Sequence, residues 1–370
     1  MMKKENWRLT LAVSGLNNID SPGPGVAVIR GLRASGRDYR IVGLAYDNAE
    51  PGIYLPGGVD IAYQVPYPAS GRQALKERLL ALHKIEGFDL VIPCFDAELP
   101  AYLQLVDELK AAGINSFLPT LEQFEARHKD HLPIYCREHG INTPFSAPIH
   151  AIEQLTQLVA DKNNPLDYPL MIKGRFYEAF RVYSLAQAAS CFTGLVAKWG
   201  LPAIVQQYLP GGEVNVVALG DGKGGLSGAV AMKKLYITQT GKAWSGVTIH
   251  NEELLQLAAR LMASSKWRGP LELEIMLDSD DKPFLIEINP RFPAWVYLAV
   301  AAGQNLPQAL VDLALGRPVE LGEYRAGVQF VRYSWDAVAP IEQRHDFTSK
   351  GWFSPPIDAA NLFSPDEANE

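Results

Sequence analysis

The sequence predicts an α/β protein of two or three domains, and three observations lead to this prediction. The chain has 370 residues, more than one ordinary hydrophobic core of about 150 residues accommodates. Over residues 1–118, short apolar runs alternate with amphipathic helical stretches, which is the pattern of βαβ units around a parallel sheet. Beyond residue 200, alternating strands follow one another across short turns, which indicates an antiparallel sheet.

The composition is that of a folded protein with a small ligand. Hydrophobic residues make up 48% and charged residues 20% of the chain, a balance that disordered chains lack. The net charge is −7 and no window concentrates Lys and Arg among aromatics, so no nucleic acid partner is expected. No long apolar run or secretory signal is apparent, which predicts a cytoplasmic protein without a membrane partner. The three cysteines lack CxxC spacing, which favours free thiols over a disulfide or zinc site.

The elements of the predicted parallel sheet can be placed in order. Apolar strands are expected at 9–15, 40–47 and 89–96, and glycine-terminated helices at 26–36, 74–87 and 99–113. The loop at 17–25 contains two prolines and no G-x-G-x-x-G, which favours a crossover loop over a dinucleotide site. Asp96 and Glu98 follow the third strand and are either site residues or solvated loop residues.

The middle of the chain predicts helices and a strand that ends in a lysine. Residues 120–140 have helical spacing, with Thr120 placed to cap the helix, and a further helix is expected around 151–161. The apolar strand PLMIK brings Lys173 to its exposed end. A lysine there is either a phosphate ligand or a solvated strand terminus.

The predicted antiparallel sheet begins near residue 203. AIVQQYLPGGEVNVVALGDGKG predicts a strand, a Pro-Gly-Gly turn and a second strand that Glu213 opens. SGAVAMKKLY continues the sheet with Lys233 and Lys234, and NEELLQLAARLMASS predicts a helix. Residues 328–340 predict a strand that returns to this sheet, and the chain beyond residue 343 becomes a polar tail.

The strands at 271–290 contain the clearest candidate for chemistry. LELEIMLDSDDKPFLIEINP predicts a hairpin closed at DSDDK. Alternation places Glu272 and Glu274 on one face of the outgoing strand, and Glu287 and Asn289 on one face of the return strand. Facing carboxylates repel each other, and a divalent cation between them removes that repulsion. The pattern therefore favours a hard-metal site over solvated carboxylates.

These motifs, in this order, resemble the ATP-grasp superfamily, especially its carbamoyl-phosphate-synthetase-like and carboxylate-amine ligase branches. The motifs are RHKDHLPIYCREHGINTP, PLMIK, QQYLPGGEVNV, LELEIML and FLIEINPR. The resemblance implies an α/β chain with an N-terminal Rossmann-like pre-ATP-grasp domain followed by a two-lobed α+β ATP-grasp fold. On this basis residues 1–118 form the first domain, 119–200 the linker and N-terminal grasp lobe, 201–343 the C-terminal lobe with the metal site, and 344–370 a C-terminal tail.

The resemblance also implies a nucleotide site for ATP. Lys129 and Lys173 match the two lysines that neutralise the phosphates, and Glu213 matches the carboxylate that holds the ribose hydroxyls. The segment expected to contact the adenine is Gln206, Gln207, Tyr208 and Leu209.

A metal site and a catalytic arginine are implied in the same way. Glu274 and Glu287 match metal-binding carboxylates, with Asn289 as the third ligand, and this oxygen set suits Mg²⁺ or Mn²⁺. Glu272 lies on the same face but outside the matched position, so it ranks behind Glu274. Arg291 matches the arginine that meets the transferred phosphoryl group or the acyl phosphate, and Lys129, Lys173 and Arg291 are the implied catalytic residues.

Two departures from the family pattern concern the substrate side. The family has a glycine-rich flap after the second lysine, whereas GRFYEAFRVYS here has one glycine and two arginines, which contact either phosphate or substrate. The segment FPAW after NPR makes the acceptor side bulkier and more apolar. The candidate substrate contacts are Arg175, Arg181, Lys233, His250 and Trp295. His250 acts either as a base or as a helix-capping or surface residue.

The implied reaction is ATP-dependent amide formation from a small carboxylate and an amine, such as an amino acid or peptide, through an acyl phosphate. One alternative is a bicarbonate-phosphorylating carboxylase or carbamoyl-phosphate-synthetase-like enzyme. Another is a non-catalytic ATP-binding sensor or scaffold. Relatives of this kind are often dimers, so a homodimer is compatible with the resemblance.

Overall fold

The structure, a computed structural model, describes residues 9–18, 22–174, 178–238, 241–334 and 336–355. Its strands are β1 (Leu9–Val13), β2 (Tyr39–Ala45), β3 (Ile61–Gln64), β4 (Leu90–Ile92), β5 (Ser146–Ile149), β6 (Leu170–Lys173), β7 (Ala179–Val182), β8 (Ala203–Gln207), β9 (Glu213–Asp221), β10 (Leu226–Ile237), β11 (Ala243–Thr248), β12 (Arg268–Leu277), β13 (Pro283–Asn289), β14 (Gln329–Val331) and β15 (Trp352–Phe353). Its α-helices are α1 (Pro24–Ala34), α2 (Gly71–Glu86), α3 (Leu99–Ala111), α4 (Leu121–Ala126), α5 (Leu132–Glu138), α6 (Ile152–Ala160), α7 (Leu185–Trp199), α8 (Glu252–Ser265), α9 (Val296–Ala302), α10 (Leu306–Ala314) and α11 (Ile341–Lys350). Within this described part of the chain, no helix combines the length and apolarity needed to cross a membrane.

The N-terminal segment forms a sheet that is parallel except at one edge. Its strand order is β15-β3-β2-β1-β4, and only β15 runs antiparallel to its neighbour. Helices α2 and α3 cover one face, while α1, α9 and α10 cover the other. Because both faces are buried, the strands are continuous apolar runs, as the sequence predicts.

One edge of this sheet is formed by a segment that the sequence analysis predicts to be a polar tail. Residues 344–353, which the sequence analysis places in that tail, form most of α11 and all of β15. Phe347 is 0% and Phe353 is 3% exposed. Burial of these two aromatic side chains holds an otherwise polar segment against the first sheet. The rest of the predicted tail, residues 356–370, lies outside the described residues.

The predicted helix at 120–140 is two helices separated by a turn. The expected cap is confirmed, because Oγ1 of Thr120 accepts from the amide of Gln123 (3.1 Å) and Oε1 of Gln123 accepts from the amide of Thr120 (3.0 Å). Pro133 lies in the first turn of α5, where proline is tolerated. In a continuous helix its ring would clash with the carbonyl of Lys129. The break therefore places Lys129 in a turn.

Two antiparallel sheets form the rest of the molecule. A four-stranded sheet, β5-β8-β6-β7, packs against α6 and α7. A six-stranded sheet, β13-β12-β9-β10-β11-β14, is covered by α5 and α8 on one face. Its other face shares a core with α9, α10 and the parallel sheet. The large sheet therefore contacts both halves of the chain.

The predicted hairpin is confirmed, with its turn at 278–282. Strands β12 and β13 are antiparallel, with Glu272 opposite Asn289 and Glu274 opposite Glu287. The predicted return strand at 328–340 is shorter, because only Gln329–Val331 pair with β11. The sheet therefore ends at β14, a three-residue edge strand.

Candidate active site

One cavity of about 990 Å³ lies where the small sheet, the large sheet and the loops after β1 and β4 meet. A cavity of this size is large enough for a nucleotide with a small second ligand. The predicted site residues that line it are Lys129, Lys173, Gln206, Gln207, Tyr208, Leu209, Glu213, Glu274, Glu287, Arg291 and Trp295. The fold thus brings together residues that are up to 166 positions apart, from Lys129 to Trp295.

Other predicted substrate contacts are placed differently. Among the described residues, Lys233 and His250 are exposed and do not line the cavity. Arg181 is also exposed, and its Nη1 donates to the hydroxyl of Tyr208 (2.9 Å) in the segment 206–209. Arg175 lies outside the described residues. The structure therefore groups Arg181 with the segment 206–209 and leaves Lys233 and His250 away from the cavity wall.

The carboxylates of Glu274 and Glu287 form an oxygen-rich platform at the end of the hairpin. The two residues are directly opposite each other in the β12–β13 register. Burial and the neighbouring Glu287 carboxylate raise the pKa of Glu274. Asn289, the predicted third ligand, is not among the described residues that line the cavity, and its Nδ2 donates to Oε1 of Glu274 (3.0 Å), so its oxygen would serve as a ligand only after a rotation of the amide. This set of hard oxygen donors fits Mg²⁺ or Mn²⁺, whose charge would relieve the repulsion.

Two lysines lie beside this platform. Lys173, at the end of β6, is 7% exposed, and Nζ of Lys129 lies 3.6 Å from Oε2 of Glu287. Burial and the positive charge of Lys129 lower the pKa of Lys173 to about 8. A bound polyanion would offset both the burial of the Lys173 ammonium group and its repulsion by Lys129.

Glu272 serves as an acceptor for neighbouring side chains. Its Oε1 accepts from Nε1 of Trp295 (2.7 Å) and Nδ2 of Asn215 (2.9 Å). Its Oε2 accepts from Nδ2 of Asn289 and Nη1 of Arg291, both at 3.3 Å. Four donors occupy the acceptor capacity of one carboxylate. Glu272 therefore orients the site rather than offering oxygens to a cation.

Arg291 is held between two sheets. Its Nε donates to Oδ2 of Asp96 (2.8 Å), in the loop after β4, while its Nη1 reaches Glu272. Although burial acts to lower it, the pKa of Arg291 is raised by the carboxylates of Asp96 and Glu272. The guanidinium is therefore a permanent, oriented cation in the cavity wall. Asp96, one of the two acids expected near a ligand, lines the cavity too.

Glu98, the other candidate acid, faces inward. It is 2% exposed and accepts hydrogen bonds from the amides of Cys94 and Phe95, both at 2.9 Å, and from the hydroxyls of Ser14 and Tyr46. These bonds fix the turn between β4 and α3. Glu98 therefore supports the loop that carries Asp96.

Lys234 is a cavity residue that the sequence analysis leaves out of the site. Its side chain is 9% exposed, and its ammonium group pairs with Glu213 and donates to the carbonyl of Gly241 (3.3 Å). Burial acts to lower its pKa, but the charges of Glu274 and Glu213 raise it. Because neighbouring residues on a strand point to opposite faces, only one of Lys233 and Lys234 faces the cavity. This alternation along the strand is the sequence feature that could have indicated Lys234 in place of Lys233.

Sequence comparisons match part of the chain to known proteins. The family model described as ATP-grasp in the biosynthetic pathway with Ter operon matches residues 201–335. A phosphoribosylamine–glycine ligase of Xanthomonas axonopodis pv. citri (strain 306) is 25% identical over 246 residues, covering 58% of this chain and 55% of that protein. The chain spans about half the length of the curated relatives it matches.

Solved structures share the fold over most of the chain. The L-amino acid ligase from Bacillus licheniformis has a TM-score of 0.59 at 18% identity, covering 83% of this chain and 74% of that one. The biotin carboxylase domain of Hydrogenobacter thermophilus 2-oxoglutarate carboxylase, in complex with MgADP and bicarbonate, has a TM-score of 0.65 at 14% identity, covering 84% and 70%. This chain is therefore similar in sequence to an ATP-grasp family over residues 201–335, and it shares a mixed α/β fold with these ligase and carboxylase structures.

Proposed function

We propose that this protein is an ATP-dependent, ADP-forming ligase that joins a small carboxylate to an amine. The observation that carries the proposal is the meeting of Lys129, Lys173, Arg291 and the Glu274–Glu287 pair in one cavity. Such a group combines positive charge for phosphates with oxygen ligands for a metal. Positioning and charge stabilisation are the main requirements of phosphoryl transfer, which needs no nucleophilic side chain.

The nucleotide would lie along one side of the cavity. The segment 206–209 would contact the adenine, Glu213 the ribose, and Lys129 and Lys173 the phosphates. The lining of the cavity by all of these residues supports this arrangement. Lys234, which pairs with Glu213, would add charge on the same side. When bound at Glu274, Glu287 and Asn289, Mg²⁺ or Mn²⁺ would neutralise phosphate charge and polarise the transferred group.

In the proposed reaction, a substrate carboxylate oxygen attacks the γ-phosphorus of ATP, and the bond to the β-phosphate oxygen breaks to release ADP. The amine nitrogen then attacks the carbonyl carbon of the acyl phosphate. Phosphate leaves, the nitrogen loses a proton, and an amide remains. Arg291 would hold the anionic group at the reacting centre, and Trp295 would shape the acceptor side.

Amino acids or short peptides are the proposed substrates. Support comes from the L-amino acid ligase and the phosphoribosylamine–glycine ligase among the similar proteins, whose names state an amino acid substrate. We also propose that residues 1–118 form a Rossmann-like pre-ATP-grasp domain, 119–200 the linker and first grasp lobe, and 201–343 the second lobe. A homodimer is the proposed assembly.

Bicarbonate phosphorylation is the second candidate, because one structure with the same fold is a biotin carboxylase domain bound to bicarbonate. The deciding experiment measures ADP release by the purified protein with ATP and MgCl₂, over pools of amino acids and amines, with mass spectrometry of the products. A ligase releases ADP and forms an amide only when an acid and an amine are supplied. ADP release with bicarbonate alone would favour the second candidate, and ATP binding without any turnover would favour a sensor.

The metal role of the platform is tested by Glu287→Gln. We expect kcat to fall by about 100-fold or more, because one carboxylate charge is lost where phosphate charge must be neutralised. The matched control is Asp280→Asn in the hairpin turn, where the side chain is 72% exposed. Circular dichroism checks the fold of both variants. Near-normal turnover by a folded Glu287→Gln protein would remove this residue from the proposed metal site.

A further inference from the structure

The turn between α4 and α5 groups two imidazoles and a carboxylate outside the cavity's oxygen platform. One ring nitrogen each of His128 and His131 and one carboxylate oxygen of Asp130 lie within 4.8 Å of one another. The main chain fixes this turn, because the amides of His131 and Leu132 both donate to the carbonyl of His128, at 2.8 and 2.7 Å. The three side chains are therefore held together by local structure.

One carboxylate oxygen of Asp130 is buried. This atom, Oδ1, is shielded from solvent and has no hydrogen-bond partner among the described residues. A buried carboxylate oxygen without a partner is unfavourable, since it loses water and gains no donor. A bound cation would supply the missing interaction.

Both histidine rings have their Nδ1 atoms near oxygens of Glu125. Nδ1 of His128 lies 3.3 Å from Oε2 of Glu125, and its ring packs edge-on against Phe124, with centroids 5.7 Å apart. Nδ1 of His131 lies 3.3 Å from the main-chain oxygen of Glu125. A hydrogen bond from Nδ1 leaves the lone pair on Nε2, which is the tautomer of a metal-bound histidine whose second nitrogen meets a carboxylate or carbonyl.

The flanking cations are engaged with other groups. The guanidinium of Arg127 lies over the ring of Phe124, 4.3 Å from its centroid. The ammonium of Lys129 lies 3.6 Å from the Glu287 carboxylate. Asp130 on the turn and Glu125 in the last turn of α4 therefore supply negative charge for an incoming cation.

We propose that His128, Asp130 and His131 bind a divalent transition metal ion of the Zn²⁺ class, at a site separate from the Glu274–Glu287 platform. Two imidazoles and one carboxylate favour such an ion over Mg²⁺, which prefers oxygen alone. Ligand atoms around tetrahedral zinc are about 3.4 Å apart, so side-chain movements of about 1 Å would close this set around an ion, with water as the fourth ligand. The inference goes beyond the proposed function and does not depend on it.

The experiment titrates untagged, EDTA-treated full-length protein with ZnCl₂ against a chromogenic chelator, in excess Mg²⁺. We expect about one equivalent of bound zinc and a Tm that rises by a few degrees with the ion. His131→Gln and Asp130→Asn should weaken binding by about tenfold or more. His150→Gln, at an exposed histidine outside the group, should bind like the wild type. The double variant Glu274→Gln/Glu287→Gln should also keep the site.

Three results would overturn the inference: no stoichiometric zinc on the wild type, unchanged affinity in both His131→Gln and Asp130→Asn, or loss of zinc from the Glu274→Gln/Glu287→Gln protein alone. The last result would place the ion on the oxygen platform. His131 is exposed, so its replacement tests the site even if Asp130→Asn fails to fold.

Discussion

Arg291 depends on a residue from a different sheet for its orientation. Asp96 belongs to the loop after β4 of the parallel sheet, whereas Arg291 follows β13 of the large sheet, and the two are joined by a 2.8 Å ion pair. The Arg291 side chain is 16% exposed, so solvent screens this pair weakly. Asp96 is therefore a positioning residue that acts through Arg291.

Replacing Asp96 tests this dependence. We expect Asp96→Asn to lower kcat by about 10- to 100-fold, because misplacing the proposed catalytic cation by about 1 Å has an effect of that size. The KM for ATP should change little, since the proposed nucleotide contacts are elsewhere. The control is Asp107→Asn on the exposed face of α3. An equal rise in the KM for ATP with unchanged kcat would contradict a positioning role.

Glu50 makes stability depend on pH. Its Oε1 accepts from the amides of Tyr46 (2.6 Å) and Asp47 (3.3 Å), while its Oε2 is buried and has no partner in the described part of the chain. Burial raises its pKa from 4.5 to about 7, and the charges of Glu98 and Asp47 add to the rise. The folded protein therefore holds this proton more tightly than the unfolded chain. The resulting stability is complete below the unfolded pKa and is lost as pH rises through about 7.

Removing this titration should flatten the pH profile. Between about pH 5 and pH 8, we expect the free energy of unfolding of the wild type to fall by about 3 kcal/mol. We expect Glu50→Gln to lack this fall. Thermal unfolding across this range measures the effect. The exposed residue Glu320 provides the control Glu320→Gln. Parallel profiles for wild type and Glu50→Gln would contradict the assignment.

At the scale of elements, local sequence signals set where helices begin and how strands pair. The Thr120 cap is confirmed because Thr and Gln three residues apart satisfy each other's amides within one turn. The β12–β13 hairpin is confirmed because two alternating strands flank a short polar turn. The break after α4 was not predicted from the sequence, although Pro133 is its physical cause.

The contribution of the Thr120 cap to the free energy of unfolding can be measured. We expect Thr120→Ala to lower the free energy of unfolding by about 1 kcal/mol, because the Gln123 amide loses its acceptor at the start of α4. Urea denaturation is the measurement. The control is Thr193→Ala on the exposed face of α7, where the hydroxyl donates only to the carbonyl of Ala189, and we expect a change within about 0.5 kcal/mol. Equal losses in both variants would contradict a specific capping role.

At the scale of the whole molecule, the last described segment closes the N-terminal sheet. Strand β15 pairs with β3, and α11 buries Phe347 against the core that joins the two halves. Residues from both ends of the described chain therefore share one core. This long-range contact links the C-terminal segment to the overall stability.

Truncating the Phe347 side chain tests whether α11 contributes to the stability of the whole molecule. We expect Phe347→Ala to destabilise the protein by about 3 to 5 kcal/mol, because it leaves a cavity at a fully buried position. Thermal and urea unfolding measure the change. Ile341→Ala, at the start of the same helix, is the control, since its side chain is 54% exposed. A small effect at Phe347 would mean that α11 is not part of the cooperative core.

The sequence by itself determined the local features: the alternating apolar strands, the capped helix start, the β12–β13 hairpin, and the acids that share one face of each of its strands. Each follows from residue spacing within one or two elements, which backbone geometry converts into direction. The tertiary structure alone decided which side chains share a cavity. Asp96 meets Arg291, and Lys234 rather than Lys233 faces Glu213, because contacts between distant elements depend on how the sheets pack and on which face each buries.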